Sequence, residues 1–375
     1  PPPRVTDYAG RSWIVRRTQI RYKIEGVQAH SPSGLLEMPS VVSADSSDLR
    51  ELMKSLAVQL PFSEDFSVLA QPVTVGRLTA PNALAVHPME GCDGDAEGNP
   101  SRLTLRRYER FAAGGTGLLW AEAIAVVPEG RANPRQLWLN DKSRPAFSAM
   151  VEMIRATAAR HNGAGHRPIV VAQLTHSGRY SRPVAKPHPL IPQRCPFRDA
   201  KINLPKDWPV LDDEYLDTLQ DRYVEAAKMA FDAGFDAVDV KACHGYLINE
   251  LFGCHQRPGK YGGSFENRVR FFLNVIDRIH SRLGRDRMVV TRMGVYDAVP
   301  YPYGWGVDRT EAARPDPAEP KRLVEELVKR GVPMVNVTVA NPYYNPHFNR
   351  PYNEPIVGGY PSPEHPLVGV ERIIR

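Results

Sequence analysis

The chain has 375 residues, with 48 Lys and Arg against 42 Asp and Glu and a formal net charge of +6. Apolar residues make up 42% and charged residues 24%, which excludes a disordered or fibrous chain. No apolar run approaches the ~18 residues of a membrane span, the first 30 residues lack the apolar core of a secretory signal, and the four cysteines are too scattered for a disulfide framework. Cytoplasmic residence is therefore the expectation.

Residues 1–65 read as a basic leader. Within residues 1–40, Arg4, Arg11, Arg16, Arg17, Arg21 and Lys23 face only Asp7, Glu25 and Glu37, a net of +3. This reads as a solvated tail rather than a nucleic-acid arm. Its one good helix is predicted over 43–60, where Leu49, Leu52, Met53 and Leu56 recur at helical spacing.

From residue 66 onward, short apolar runs alternate with amphipathic helices. Run 84–89 is followed by a helix at 101–113, and run 118–123 by one at 143–161. Run 169–174 is followed, after a long interval, by a helix at 213–233. Run 237–241 precedes a helix at 265–283 behind a Ser264 cap, run 288–293 precedes one at 317–330, and run 333–339 is the last. The runs are β-branched and nearly continuous, as strands buried on both faces require. Such alternation predicts a parallel sheet and an α/β fold.

A doubly wound dinucleotide domain would show GxGxxG after its first strand; here that strand ends in HPMEG. The reading is a (β/α)8 TIM barrel with about six βα units present, spanning 66–375. The chain stops inside a helical stretch (Val368, Val370, Ile373, Ile374), so the last two units are expected to be missing or supplied by a partner chain. A homo-oligomer is the other expected assembly.

Barrel active sites lie at the C-terminal ends of strands. Those ends carry Pro88, Met89 and Glu90; Glu122 and Ala123; Gln173, Thr175 and His176; Lys241 and His244; and Arg292. The absence of CxxC, HExxH and paired histidines predicts no metal. The absence of GxSxG and GxxxxGK[ST] argues against serine hydrolysis and a phosphate loop.

Residues 234–271, GFDAVDVKACHGYLINELFGCHQRPGKYGGSFENRVRF, resemble the signature of the Old Yellow Enzyme family of flavin-dependent ene-reductases and 2,4-dienoyl-CoA reductase-like enzymes. PNALAVHPMEG (81–91), QLTHSGR (173–179) and RMGVYD (292–297) match the same family in the same order. The resemblance implies an FMN barrel that passes hydride from NAD(P)H, through flavin, to an activated C=C bond of a small-molecule alkene. By the same resemblance, Gln173 meets the flavin pyrimidine edge. Arg292 places a cation near the anionic part of reduced flavin. Pro88, Met89 and Ala123 line the ring system. His244 is the second member of the substrate-binding pair, and Tyr246 is the proton donor.

The chain departs from the family pattern at three places. Lys241 replaces the first histidine of the substrate pair, and it either contacts substrate or pairs with Glu90 or Glu122. Glu90 stands beside the flavin where Thr or Cys is usual. The FMN phosphate site belongs to the last two barrel units. Residues 175–211 lack periodicity and contain seven prolines, which suits a lid over the substrate face, with Tyr180, Phe197 and Trp208 as its aromatic contacts. An ene-reductase is the leading reading. Oxidative flavin chemistry, such as demethylation or dehydrogenation, and a non-catalytic barrel subunit are the alternatives.

Overall fold

The structure is a computed structural model that describes residues 4–6, 12–14, 46–356 and 359–374. In chain order the elements are strands β1 (Arg4–Thr6) and β2 (Ser12–Ile14), helix α1 (Ser46–Ser55), strands β3 (Val73–Val75), β4 (Leu78–Ala80) and β5 (Ala85–Val86), helix α2 (Arg102–Ala113), β6 (Leu118–Ala125), α3 (Arg144–Asn162) and β7 (Ile169–Thr175). There follow α4 (Pro196–Lys201), α5 (Asp213–Asp232), β8 (Ala237–Val240), α6 (Leu247–Phe252), α7 (Phe265–Leu283), β9 (Met288–Tyr296), α8 (Ala318–Lys329), β10 (Val335–Val339), α9 (Pro346–Asn349) and α10 (Pro366–Ile374).

The chain forms two compact units. One spans Phe62–Arg350; the other combines Pro1–Pro61 with Pro351–Arg375. In the second unit, β1 and β2 pair antiparallel, and the predicted leader helix is α1. Most of the basic leader lies outside the described residues.

In the larger unit, six strands run parallel in the order β5-β6-β7-β8-β9-β10. Sheet order equals chain order, with no switch point. A doubly wound sheet reverses direction at its switch point, whereas a barrel wall does not. Five of the six predicted strands appear nearly as read. The first shrinks to two residues, because Pro88 has no N–H to continue the ladder.

The period of two in each strand decides what faces inward. Leu118, Trp120, Ile169, Val171, Ala237, Met288 and Val290 pack together on one side of the sheet. Val75 and Ala80 of the β3–β4 pair join this cluster at its N-terminal end. On the other side, Leu119, Val170, Ala172, Val238, Val240 and Val289 pack against the helices. Counting on by two along the inward columns leads from Val171 to Gln173, from Ala237 through Asp239 to Lys241, and from Val290 to Arg292. Each column is apolar at its base and polar at its C-terminal end.

The YGGSFENR run serves the wall rather than the chemistry. Ser264 caps α7 by accepting from the Asn267 N–H (3.3 Å). Arg268, almost fully buried, donates to the Phe252 and Gly263 carbonyls and pairs with Glu319 (2.5 Å), pinning α6, α7 and α8 together.

Candidate active site

Glu90, Lys241 and Tyr246 converge at the C-terminal end of the sheet. Lys241 Nζ lies 3.5 Å from Glu90 Oε1 and 3.9 Å from the centroid of the Tyr246 ring. The Tyr246 hydroxyl donates to Glu90 Oε1 (3.2 Å) and lies 3.1 Å from the Tyr343 hydroxyl. Lys241 thus pairs with Glu90, not Glu122. The glutamate beside the expected flavin position carries its own counter-charge. Tyr246 is only 3% exposed. Burial, then Glu90, hold its phenol well above the usual tyrosine range, so it stays protonated at neutral pH.

His244 follows Lys241 by three residues and adopts a left-handed backbone (φ 65°), as does Gly245 (φ 70°). A side chain at Gly245 would collide with the Asn341 amide, so only glycine fits there. This sharp double turn brings His244 Nε2 within 3.5 Å of Thr338 Oγ1. Burial, then the cations Lys241, Arg292 and Arg350, hold the imidazole well below its ordinary value. It is neutral at pH 7 and can present one donor and one acceptor.

Below this layer lies Asp239, fully buried. It accepts from Gln173 Nε2 (2.6 Å), Trp120 Nε1 (2.9 Å) and the Arg292 N–H (2.8 Å). Burial pushes its carboxyl up to about 6 against those donors. Gln173 is therefore anchored by one amide N–H, which leaves its oxygen and second N–H for another partner. Strand register sets Ala123 beside Gln173, and Gln173 beside Asp239. Ala123 itself is buried, as is Pro88, while Met89 is 74% exposed.

Arg292 Nη1 donates to the Pro88 carbonyl (3.3 Å). Its Nε is buried with no hydrogen-bond partner, and the residue has no carboxylate partner among the described residues. A guanidinium donor without a partner, on a residue that touches Pro88, next in chain to the exposed Met89, fits a flat apolar group with an acceptor edge. The residues at this face therefore fit a flavin ring.

Two other strand-end residues have structural duties. Glu122 accepts from the Gly91 N–H (2.8 Å) and Arg107 Nη2 (2.5 Å), and burial raises its carboxyl against them. His176 Nδ1 accepts from the Gly178 N–H (3.1 Å), so Nε2 donates to Tyr215 (2.9 Å), which donates to Glu129 (3.3 Å). Burial lowers the His176 value to about 3.

Residues 175–211 are not a loose loop. Arg179 ion-pairs with Glu250 (2.5 Å) and Asp199, and Arg198 pairs with Asp297 (2.7 Å), all of them buried. Of the three aromatic residues expected in a lid, Tyr180 stacks on Tyr343 at 4.0 Å. Trp208 donates to the Pro189 carbonyl, and Phe197 meets Tyr303. Tyr343 was not expected from the sequence. The signal was present, since the NPYYNP run follows the end of the sixth strand, where barrel sites are built.

A family model for the NADH:flavin oxidoreductase / NADH oxidase family matches residues 68–315, about two thirds of the chain. The chain belongs to this family. An NADH:flavin oxidoreductase of Gibberella zeae is 28% identical over 296 residues, 71% of this chain and 66% of that protein. An NADPH dehydrogenase of Clostridium acetobutylicum is 27% identical over 241 residues, 64% of this chain and 66% of that protein. The chain thus spans about two thirds of the length of these relatives. The crystal structure of an Old Yellow Enzyme from Pichia sp. AKU4542 superposes with a TM-score of 0.60 at 26% identity, covering 72% of this chain and 70% of that one. The chain is an Old Yellow Enzyme homologue with a TIM-barrel wall, and the family's cofactor is FMN with NAD(P)H as hydride source. Among the described residues no helix is long and apolar enough to cross a membrane, and no group of three His, Cys, Asp or Glu is placed to hold a metal.

Proposed function

We propose that this chain carries the active face of an FMN-dependent ene-reductase acting on an activated C=C bond. FMN, when bound, supplies the hydride carrier between NAD(P)H and the alkene. Arg292, Gln173, Pro88, Met89 and Ala123 would hold its ring. Arg292 brings a fixed cation for developing negative charge. His244 and Lys241 face the position of the substrate's carbonyl oxygen. His244 is a neutral donor there, and Lys241 is a cation already offset by Glu90. Tyr246 keeps a proton on its hydroxyl oxygen and delivers it to the α-carbon.

The observation that carries this reading is Tyr246 itself. A buried phenol, held protonated by burial and by Glu90, keeps a proton available at neutral pH, as a general acid must. The test is stopped-flow kinetics of Tyr246→Phe in the FMN-loaded protein. Flavin reduction by NAD(P)H should be nearly unchanged, and flavin reoxidation by an enone should slow by ~10²–10⁴-fold. Equal losses in both half-reactions would make Tyr246 a packing residue. A protein that binds no FMN, seen as no flavin absorbance on titration, would leave only the non-catalytic reading.

A further inference from the structure

Delivery of a proton to substrate leaves Tyr246 as a phenolate that must be refilled before the next turnover. Tyr246 is 3% exposed, so water has almost no access to it. Its hydroxyl has two oxygen neighbours. Glu90 Oε1 accepts from it and is ion-paired with Lys241, so Glu90 is an acceptor in this network and not a proton source. The other neighbour is the Tyr343 hydroxyl, 3.1 Å away. With the Tyr246 proton directed at Glu90, this contact has Tyr343 donating to Tyr246.

Tyr343 is 47% exposed as a residue, with its hydroxyl turned inward to Tyr246 and the rest of the ring outward. Its ring stacks on Tyr180 at 4.0 Å, and the Tyr180 hydroxyl accepts from Asn341 Nδ2 (3.2 Å), which keeps the pair in place. Tyr343, Tyr180, Ser181 and Arg182 border a cavity of about 380 Å³. At ~30 Å³ per water this has room for on the order of ten waters.

We infer that Tyr343 is the proton entry to the site, passing protons from solvent to Tyr246. This inference rests on the ene-reductase reading. In each turnover the Tyr246 O–H bond breaks and the substrate Cα–H bond forms. The Tyr343 O–H proton then moves to the Tyr246 oxygen, and Tyr343 takes a proton from water. One proton is consumed from bulk per alkene reduced. Burial lifts both phenols above the ordinary tyrosine range, Tyr343 to about 12, so each carries its proton at neutral pH between transfers.

The test uses the FMN-loaded full chain, reduced beforehand and mixed with excess cyclohexenone in weak buffer containing a pH-indicator dye. Two signals are followed: flavin reoxidation and proton uptake from bulk. In the parent protein they should coincide. In Tyr343→Phe, flavin reoxidation should stay within about twofold, because Tyr246 starts protonated, while proton uptake should lag by tenfold or more. Coincident signals at the parent rate would overturn the inference by showing another entry. Equal slowing of both signals would also overturn it, since Tyr343 would then merely position Tyr246. If cyclohexenone fails to reoxidise the parent flavin, the ene-reductase reading itself falls, and this inference falls with it.

Discussion

Lys241 and Glu90 should behave as one unit, and a double-mutant cycle tests that. Their charges are 3.5 Å apart, with side chains 4% and 18% exposed. Coulomb attraction at that distance is ~5 kcal/mol at an effective dielectric of ~20. Desolvation offsets most of it, and the partly wet glutamate softens the rest. Breaking the pair from either side leaves a lone charge in a nearly dry site. Lys241→Met should therefore cost ~2–3 kcal/mol, somewhat below the ~3–5 kcal/mol typical of fully buried pairs. Glu90→Gln should cost a similar amount, because the ammonium then keeps only the Tyr246 ring as a partner. The double variant removes both charges together, so its cost should also be ~2–3 kcal/mol rather than the sum, a coupling of ~2 kcal/mol. Urea unfolding of the four proteins at pH 7 and fixed FMN gives the numbers. Additivity within ~0.5 kcal/mol would refute the pairing and return Lys241 to direct substrate contact.

Two further outcomes follow from the buried polar groups. Glu250 is fully buried against Arg179 and Arg198, so Glu250→Gln should destabilise by ~3–5 kcal/mol in urea unfolding; a cost below ~1 kcal/mol would mean the arginines are held otherwise. His176 stays neutral in the folded chain down to about pH 3, whereas the unfolded imidazole takes a proton below pH ~6.5. The folded state then binds fewer protons, so stability rises with pH across that window and falls by roughly 3 kcal/mol between pH 6.5 and 4. His176→Asn should remove this share of the acid loss in parallel urea titrations, and an unchanged pH slope would contradict it.

Period and punctuation in the sequence were enough to place the wall. The runs 169–174 and 237–241 are legible as short, nearly continuous β-branched stretches, and Ser264 marks a helix start where a side-chain cap is found; the Ser101 and Asp212 caps come from the structure. Pro88 cut short the first strand because a residue without an N–H cannot extend a ladder, even inside an apolar run. The β3–β4 pair escaped notice because three-residue strands carry too little alternation to register. Side-chain partnerships were harder still. Lys241 could have met Glu90 or Glu122, which sit at the ends of neighbouring strands. Only folding shows that Glu122 is already occupied by Arg107 and the Gly91 N–H. The Tyr343–Tyr246 contact spans 97 residues and depends on the turn after β10, where no periodic signal operates.

The two cations of the inward columns end up with different duties, and their partners decide which. Lys241 is neutralised at short range by Glu90, so its field beyond that pair is largely cancelled. Arg292 is left with a carbonyl contact and a buried Nε that has no partner. Asp239, on the inner columns, is held by Trp120, Gln173 and the Arg292 backbone N–H, not by the Arg292 guanidinium. Of the two cations, Arg292 is therefore the one whose guanidinium has no carboxylate partner among the described residues. In the proposed function an anion-accumulating ring would lie against Arg292, and the neutral His244 and Tyr246 would handle hydrogen bonds and protons. A second free cation in the Lys241 position would pull the Tyr246 proton off more readily and weaken the phenol as a lasting proton store. By pairing with Lys241, Glu90 offsets that cation, and in the proposed ene-reductase this would keep the proton on Tyr246 until a substrate carbon becomes basic enough to take it.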